Sequence, residues 1–149
     1  MVLFGKSLSY YVRFQKILLI LTVAFGLIRL ALSMAGVPDS FVTWFSMIGL
    51  MPIGTVYYPI RVHMKGFGGC PHVLILLGIQ VLVSQVMTAI GIFAALLTGV
   101  DNIFSAAGPE AGHLGHAVVH LVSWPFVSVI LWAPATVVLL IARRVSKAG

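Results

Sequence analysis

Four apolar stretches carry this chain: Ile17–Met34, Phe41–Ile60, Val73–Val100 and Ala117–Ala142. Together they hold a single Lys, Arg, Asp or Glu residue, Arg29. Each stretch meets the lower limit of ~17 residues that a helix needs to cross the hydrocarbon core of a bilayer. The 149-residue chain is 60% hydrophobic and 8% charged, with a mean hydropathy of +1.12. A soluble domain of this size has too little interior to hide so much apolar surface, whereas lipid is the natural solvent for it. The apolar runs are continuous, as in Val137–Ala142, and do not alternate as barrel strands do. A helix also satisfies its own backbone polar groups in lipid. The expected fold is therefore all-α: a polytopic integral membrane protein, an antiparallel four-helix transmembrane bundle forming one membrane domain over residues 1–149. The third and fourth stretches exceed what a span requires, so they are expected to tilt, to bend at Gly or Pro, or to run past the membrane surface.

The formal net charge of +6 suggests a nucleic-acid partner only if position is ignored. Of the nine Lys and Arg residues, all except Arg29 fall in the leader 1–16, in the loop 61–72 or after the fourth stretch. All three acids, Asp39, Asp101 and Glu110, fall in the other two connections. This asymmetry places both termini and the loop 61–72 in the cytoplasm, and the connection 101–116 outside. The basic clusters then serve topology and attraction to anionic headgroups. The expected partners are the lipid bilayer and other membrane-protein subunits or further copies of the chain, with no nucleic acid. The N-terminus imitates a signal peptide, with a basic leader, an apolar run and the small-residue segment Ser33-Met34-Ala35-Gly36. Arg29 interrupts that run and three more stretches follow, so the first segment reads as a retained helix. Cys70 is the only cysteine, which excludes an intrachain disulfide and a dithiol mechanism.

Local signals refine the outline. Tyr10, Tyr11 and Phe14, set among Arg13 and Lys16, suit an interfacial segment before the first span. Gly36 and Pro38 end the first helix, and Asp39 or Ser40 can cap the second. Pro52 is expected to bend the second helix, and Pro125 and Pro134 the fourth. The run Gly66-Phe67-Gly68-Gly69 lacks the Gly-Lys-Ser/Thr ending of a phosphate loop and reads as a turn.

Three groups of residues are candidates for chemistry. At 100° per residue, Gln15, Thr22, Gly26, Arg29 and Ser33 share one narrow face of the first helix. Small and hydroxyl residues mark helix contacts in membranes, so Arg29 is expected to face protein, about 8 Å below the outer end of its helix. It either pairs with Asp39, Asp101 or Glu110 to lock the helices together, or attracts an anion. In the third stretch Gln80, Ser84 and Thr88 share a face, with Gln85 beside it, suited to interhelical hydrogen bonds or to lining a hydrated path. At the entry to the fourth, His113, His116 and His120 follow spacings of three and four, which share a helical face if that helix begins near Gly112. Imidazole is a common metal ligand, and Asp101 or Glu110 could complete a site. A haem would need a second axial ligand, but His63 and His72 lie at the opposite surface.

No Asp or Glu lies within any stretch, which excludes proton coupling through a membrane-embedded carboxylate. No Ser/His/Asp group, catalytic carboxylate pair or nucleotide motif is present, so no enzyme is expected. The first expectation is a small non-catalytic integral membrane protein, a subunit or scaffold packing against partner membrane proteins. One alternative is a small homo-oligomeric channel or transporter for an anionic or neutral solute, using Arg29, Gln80, Ser84, Gln85 and Thr88. The other binds a metal ion or haem through the external histidines; otherwise no cofactor is expected.

Overall fold

The computed structural model describes residues 1–105 and 112–148, the side chains of Gly112, His113 and Ala148 excepted. Two short strands, β1 (Val2–Leu3) and β2 (Lys6–Ser7), precede five helices: α1 (Leu8–Met34), α2 (Asp39–Val42), α3 (Met47–Met64), α4 (Cys70–Thr98) and α5 (Gly112–Ala148). Four helical segments are long and apolar enough to cross a membrane: Leu8–Met34, Asp39–Met64, Cys70–Thr98 and Leu114–Lys147. At ~1.5 Å per residue each matches or exceeds a ~30 Å hydrocarbon core.

The helices outrun the apolar stretches because caps, not hydropathy, decide where a helix begins and ends. Ser7 caps α1, its hydroxyl accepting from the Tyr10 N–H at 3.3 Å, so the helix starts at Leu8 and absorbs most of the leader. Its end is a Schellman turn: Val37 N–H donates to Leu32 O at 3.1 Å and Gly36 N–H to Ser33 O at 3.0 Å, with Gly36 at φ +75°. The end of α3 repeats the motif, with Phe67 N–H on Val62 O, Gly66 N–H on His63 O, and Gly66 at φ +57°. A left-handed residue at this position favours glycine, which has no Cβ to clash. Pro71 sits in the first turn of α4, where its missing N–H costs nothing. The second apolar stretch is not one helix. It breaks between α2 and α3 at Thr43–Ser46, where the Thr43 hydroxyl folds back on Asp39 O at 2.7 Å and Ser46 is extended.

The N-terminal ribbon was not foreseen. β1 and β2 pair antiparallel, Val2 opposite Ser7 and Leu3 opposite Lys6, around a turn in which Phe4 and Gly5 both have positive φ. That is the backbone twist a two-residue hairpin prefers. Four strand residues are too few to show alternation. The Tyr11 hydroxyl, on α1, donates to Leu3 O at 3.0 Å and ties the ribbon down.

α4 packs against α1, α3 and α5, and α3 also meets α1 and α5. One buried cluster joins Tyr11, Tyr58, Phe67, Leu76, Leu77 and Leu139 near the basic residues. There Lys6 Nζ lies 4.8 Å from the Phe67 ring centroid and the Arg61 guanidinium 4.9 Å from that of Phe14, so leader aromatics and cations contact one another directly. Trp132 Nε1–H on Cys70 O at 2.8 Å joins α5 to the start of α4. A second cluster, with Met47, Met87, Ile92, Phe104 and Ala117, lies toward the acidic connections. Between the clusters, the Gln80 amide donates to Leu50 O at 2.9 Å. The neighbour that admits Gln80 is Gly54, where a Cβ would collide with Gln80 Oε1.

That close approach predicts a coupled pair. Gly54→Ala should destabilise the protein by about 1–3 kcal/mol, as overpacking of a tight contact does. Most of that loss should vanish in a Gln80→Ala background. Reversible unfolding of the four proteins of this cycle measures both effects; an equal Gly54→Ala cost in the two backgrounds would contradict the contact.

Candidate functional site

A cleft of about 380 Å³ opens among α1, α3, α4, α5 and the segment after α4. α1 supplies Arg29, α4 supplies Ser84, Gln85 and Thr88, and α5 supplies His116 and His120. Met47, Ile48 and Met51 of α3 form an apolar wall. Ser84 and Thr88, four apart on α4, and His116 and His120, four apart on α5, share a face of their helices, with Gln85 a step round from Ser84. These residues of α1, α4 and α5 border one shared cleft.

Phe104 closes the cleft beside Arg29, and its position follows from a short polar turn. Asn102 Nδ2–H donates to Gly91 O at 2.8 Å, while Asn102 Oδ1 accepts from the Phe104 N–H at 2.9 Å. Ser105 Oγ accepts from the Asn102 N–H at 2.8 Å and contacts Asp101 Oδ1 at 3.2 Å. Ile103 N–H donates to Ser33 Oγ at 2.8 Å, fastening the turn to α1. Phe104 then lies on Gly91, where any Cβ would strike its ring.

Arg29 is half-buried, with its guanidinium carbon 5.3 Å from the Phe104 ring centroid. Its Nε is buried without a hydrogen-bond partner among the described residues. Asp39 is the acid whose charge reaches it, yet no ion pair within 4.0 Å joins Arg29 to a described residue. Of the rest of its face, Gln15, Thr22 and Gly26 are buried and Ser33 is half-buried.

The histidines form an oriented chain. Ser123 Oγ–H donates to His120 O at 3.2 Å, so Ser123 Oγ accepts from Gln85 Nε2–H at 3.3 Å. That orients the Gln85 amide with Oε1 toward His120 Nδ1, at 2.6 Å. His120 therefore carries its proton on Nδ1 and a lone pair on Nε2, an assignment drawn from the network. His120 Nε2 lies 3.0 Å from His116 Nε2, so His116 is the donor between them. His116 Nδ1 is left as a buried lone pair without a partner.

The expected site residues thus separate. Arg29, Ser84, Gln85, Thr88, His116 and His120 line one cleft. Gln80 serves instead as a strut between α4 and α3. Thr88 donates its hydroxyl to Ser84 O at 3.2 Å, and Asp101 belongs to the Asn102 turn. Glu110 lies outside the described residues, as does the side chain of His113. Among the described residues no group of three or more His, Cys, Asp or Glu is arranged to hold a metal ion. Sequence reasoning missed Asn102, Phe104, Met47, Met51 and Ser123. Ser123 carries a readable signal, three positions after His120; Phe104 and the two methionines carry none. No protein-family model, curated protein or solved structure matches this chain.

The network predicts a spectroscopic signature. In ¹⁵N-histidine-labelled protein, His120 should show the Nδ1–H tautomer, and Gln85→Leu should release it toward the tautomer mixture of a free imidazole. An Nε2–H signal for His120 in the unsubstituted protein would contradict the assigned direction of the chain.

Proposed function

We propose that this chain is an integral membrane protein of four spans, arranged as an antiparallel bundle, with both termini and the loop 61–72 in the cytoplasm. We further propose that it is a small channel or transporter whose cleft admits a small anionic solute beside Arg29. The observation that carries this reading is the state of Arg29: a half-buried guanidinium in a mostly apolar cleft, without an ion pair among the described residues. A charge removed from water at this depth is costly. An arginine whose role was to lock helices together would recover that cost through a nearby carboxylate; here an anion entering the cleft would do so. Hydroxyl and amide groups on the same walls suit a hydrated route.

A second reading, a packing subunit of a larger membrane assembly, draws on a different observation. Only 17% of the apolar window is buried in α1 and likewise in the span of α5. Both helices therefore offer long uncovered flanks to lipid, to another copy or to a partner. Reconstitution separates the two readings. Liposomes containing the purified protein should pass small anions, and Arg29→Gln should reduce that flux at least tenfold while the protein stays folded. Absence of flux, with a stoichiometric membrane partner retained through gentle extraction, would favour the subunit.

The topology has its own test. In a Cys70→Ala background, Lys147→Cys should be shielded from a membrane-impermeant thiol reagent applied outside intact cells, and Ser40→Cys should be labelled. The reverse pattern would invert the proposed orientation.

A further inference from the structure

The cleft's chemistry narrows the kind of anion, an inference that rests on the solute-binding reading above. Most polar groups on its walls already have partners. Thr88 donates to Ser84 O, Gln85 bridges Ser123 and His120, and both ring nitrogens of His120 are hydrogen-bonded. His116 Nδ1 is unpartnered but shut away from the cleft surface. Two donors remain. Arg29 has no hydrogen bond to any described residue, and its guanidinium offers N–H groups in a rigid planar fork. Ser84 is 4% exposed, lines the cleft, and its hydroxyl has no described partner.

Among the described residues no acid lines the cleft, and the one Lys or Arg that does is Arg29. One positive charge balances one negative charge, so a dianion such as hydrogen phosphate would enter with charge unmatched. The guanidinium fork matches two coplanar oxygens, the geometry of a carboxylate. The remaining walls are apolar: Met47, Ile48, Met51, Ile103, Phe104 and Val127. A halide would leave that surface uncovered, whereas a short hydrocarbon tail would cover it, and methionines adapt readily to a small guest. The volume of about 380 Å³ lies near the lower end of ligand sites, ~300–1,000 Å³.

We infer that the cleft binds a small monocarboxylate head-first, its carboxylate on Arg29 and Ser84 and its short apolar tail against Met47, Ile48 and Met51. The test is equilibrium binding of butanoate to the full-length protein in detergent, which separates binding from flux. Butanoate should bind saturably, and affinity should fall about three- to fourfold for each methylene removed toward acetate. Butanamide, which has the same shape without charge, and inorganic phosphate should each bind at least tenfold more weakly. Arg29→Gln should cost at least tenfold, Ser84→Ala several-fold, and Val127→Phe, which fills the apolar end, should exclude butanoate yet still admit formate. Oleate, as competitor, identifies the source of the carboxylate: weak displacement points to a soluble acid, strong displacement to a membrane fatty acid. Equal binding of butanamide or phosphate overturns the inference, as does unchanged affinity in Ser84→Ala and Val127→Phe together, even if Arg29→Gln fails to fold. Arg29-dependent flux of another anion without butanoate binding would remove the carboxylate and keep the transporter. Butanoate binding without flux would do the opposite.

Discussion

Everything in this fold is organised around α4. Like α3 it meets all three other long helices, but it is the most deeply buried of the candidate spans: 56% of its apolar window is buried, against 28% in the span of α3 and 17% in α1. Apolar side chains alone do not bring helices together in lipid, because lipid solvates them as well as protein does; close packing and interhelical hydrogen bonds supply the difference. α4 provides both. Gln80 reaches the backbone of α3, Gln85 reaches Ser123 on α5, and Gly91 receives Phe104. On the facing helices, Gly54 leaves room for Gln80, and Gly26 brings α1 close to Met47 and Met87. An apolar α4 of the same length would still be long and apolar enough to cross a membrane, but it would specify no particular neighbours.

The cleft is a consequence of that organisation. Gln80 and Gln85 stand five residues apart and are drawn to different helices, α3 and α5. Ser84 lies between those two ties, and both Ser84 and Gln85 line the cleft. The Asn102 turn then sets Phe104 across α4 at Gly91 and against Arg29. The guanidinium rests on an aromatic face, which attracts a cation without neutralising it. A carboxylate in the same place would have cancelled the charge.

What could be read from the sequence follows from how local each signal is. Hydropathy located the four helical segments, because it sums over many residues and needs no partner. Helical periodicity placed Gln15, Thr22, Gly26 and Arg29 on one inward face, and Gln80, Ser84 and Thr88 on another, because it depends only on one helix's own geometry. The N-terminal ribbon escaped because four residues cannot display a period. The break at Thr43–Ser46 escaped because the residues remain largely apolar across it. Gln80 and Gln85, near neighbours on one helix, serve opposite purposes here, and only the rotation and offset of the facing helices distinguish them. Likewise nothing local in Asp101-Asn102-Ile103-Phe104 says that its phenyl ring will lie beside an arginine seventy-five positions earlier.

Arg29 had two readings, and they differ in what the surrounding protein must do. A locking arginine needs a carboxylate held at contact distance, and the described acids are Asp39, at the start of α2, and Asp101, after α4. Asp39 is near enough to be felt but makes no contact ion pair, and Asp101 is engaged in the Asn102 turn. Those positions bias the local potential without quenching the charge, which lowers the cost of keeping a guanidinium at depth while leaving its donors open. In the tautomers assigned from the network, His120 accepts from His116 and donates to Gln85 with one proton on each imidazole. Among the described residues the cleft thus combines one guanidinium, one hydroxyl without a hydrogen bond, hydrogen-bonded polar groups and an apolar wall, and the proposed monoanionic guest rests on that combination.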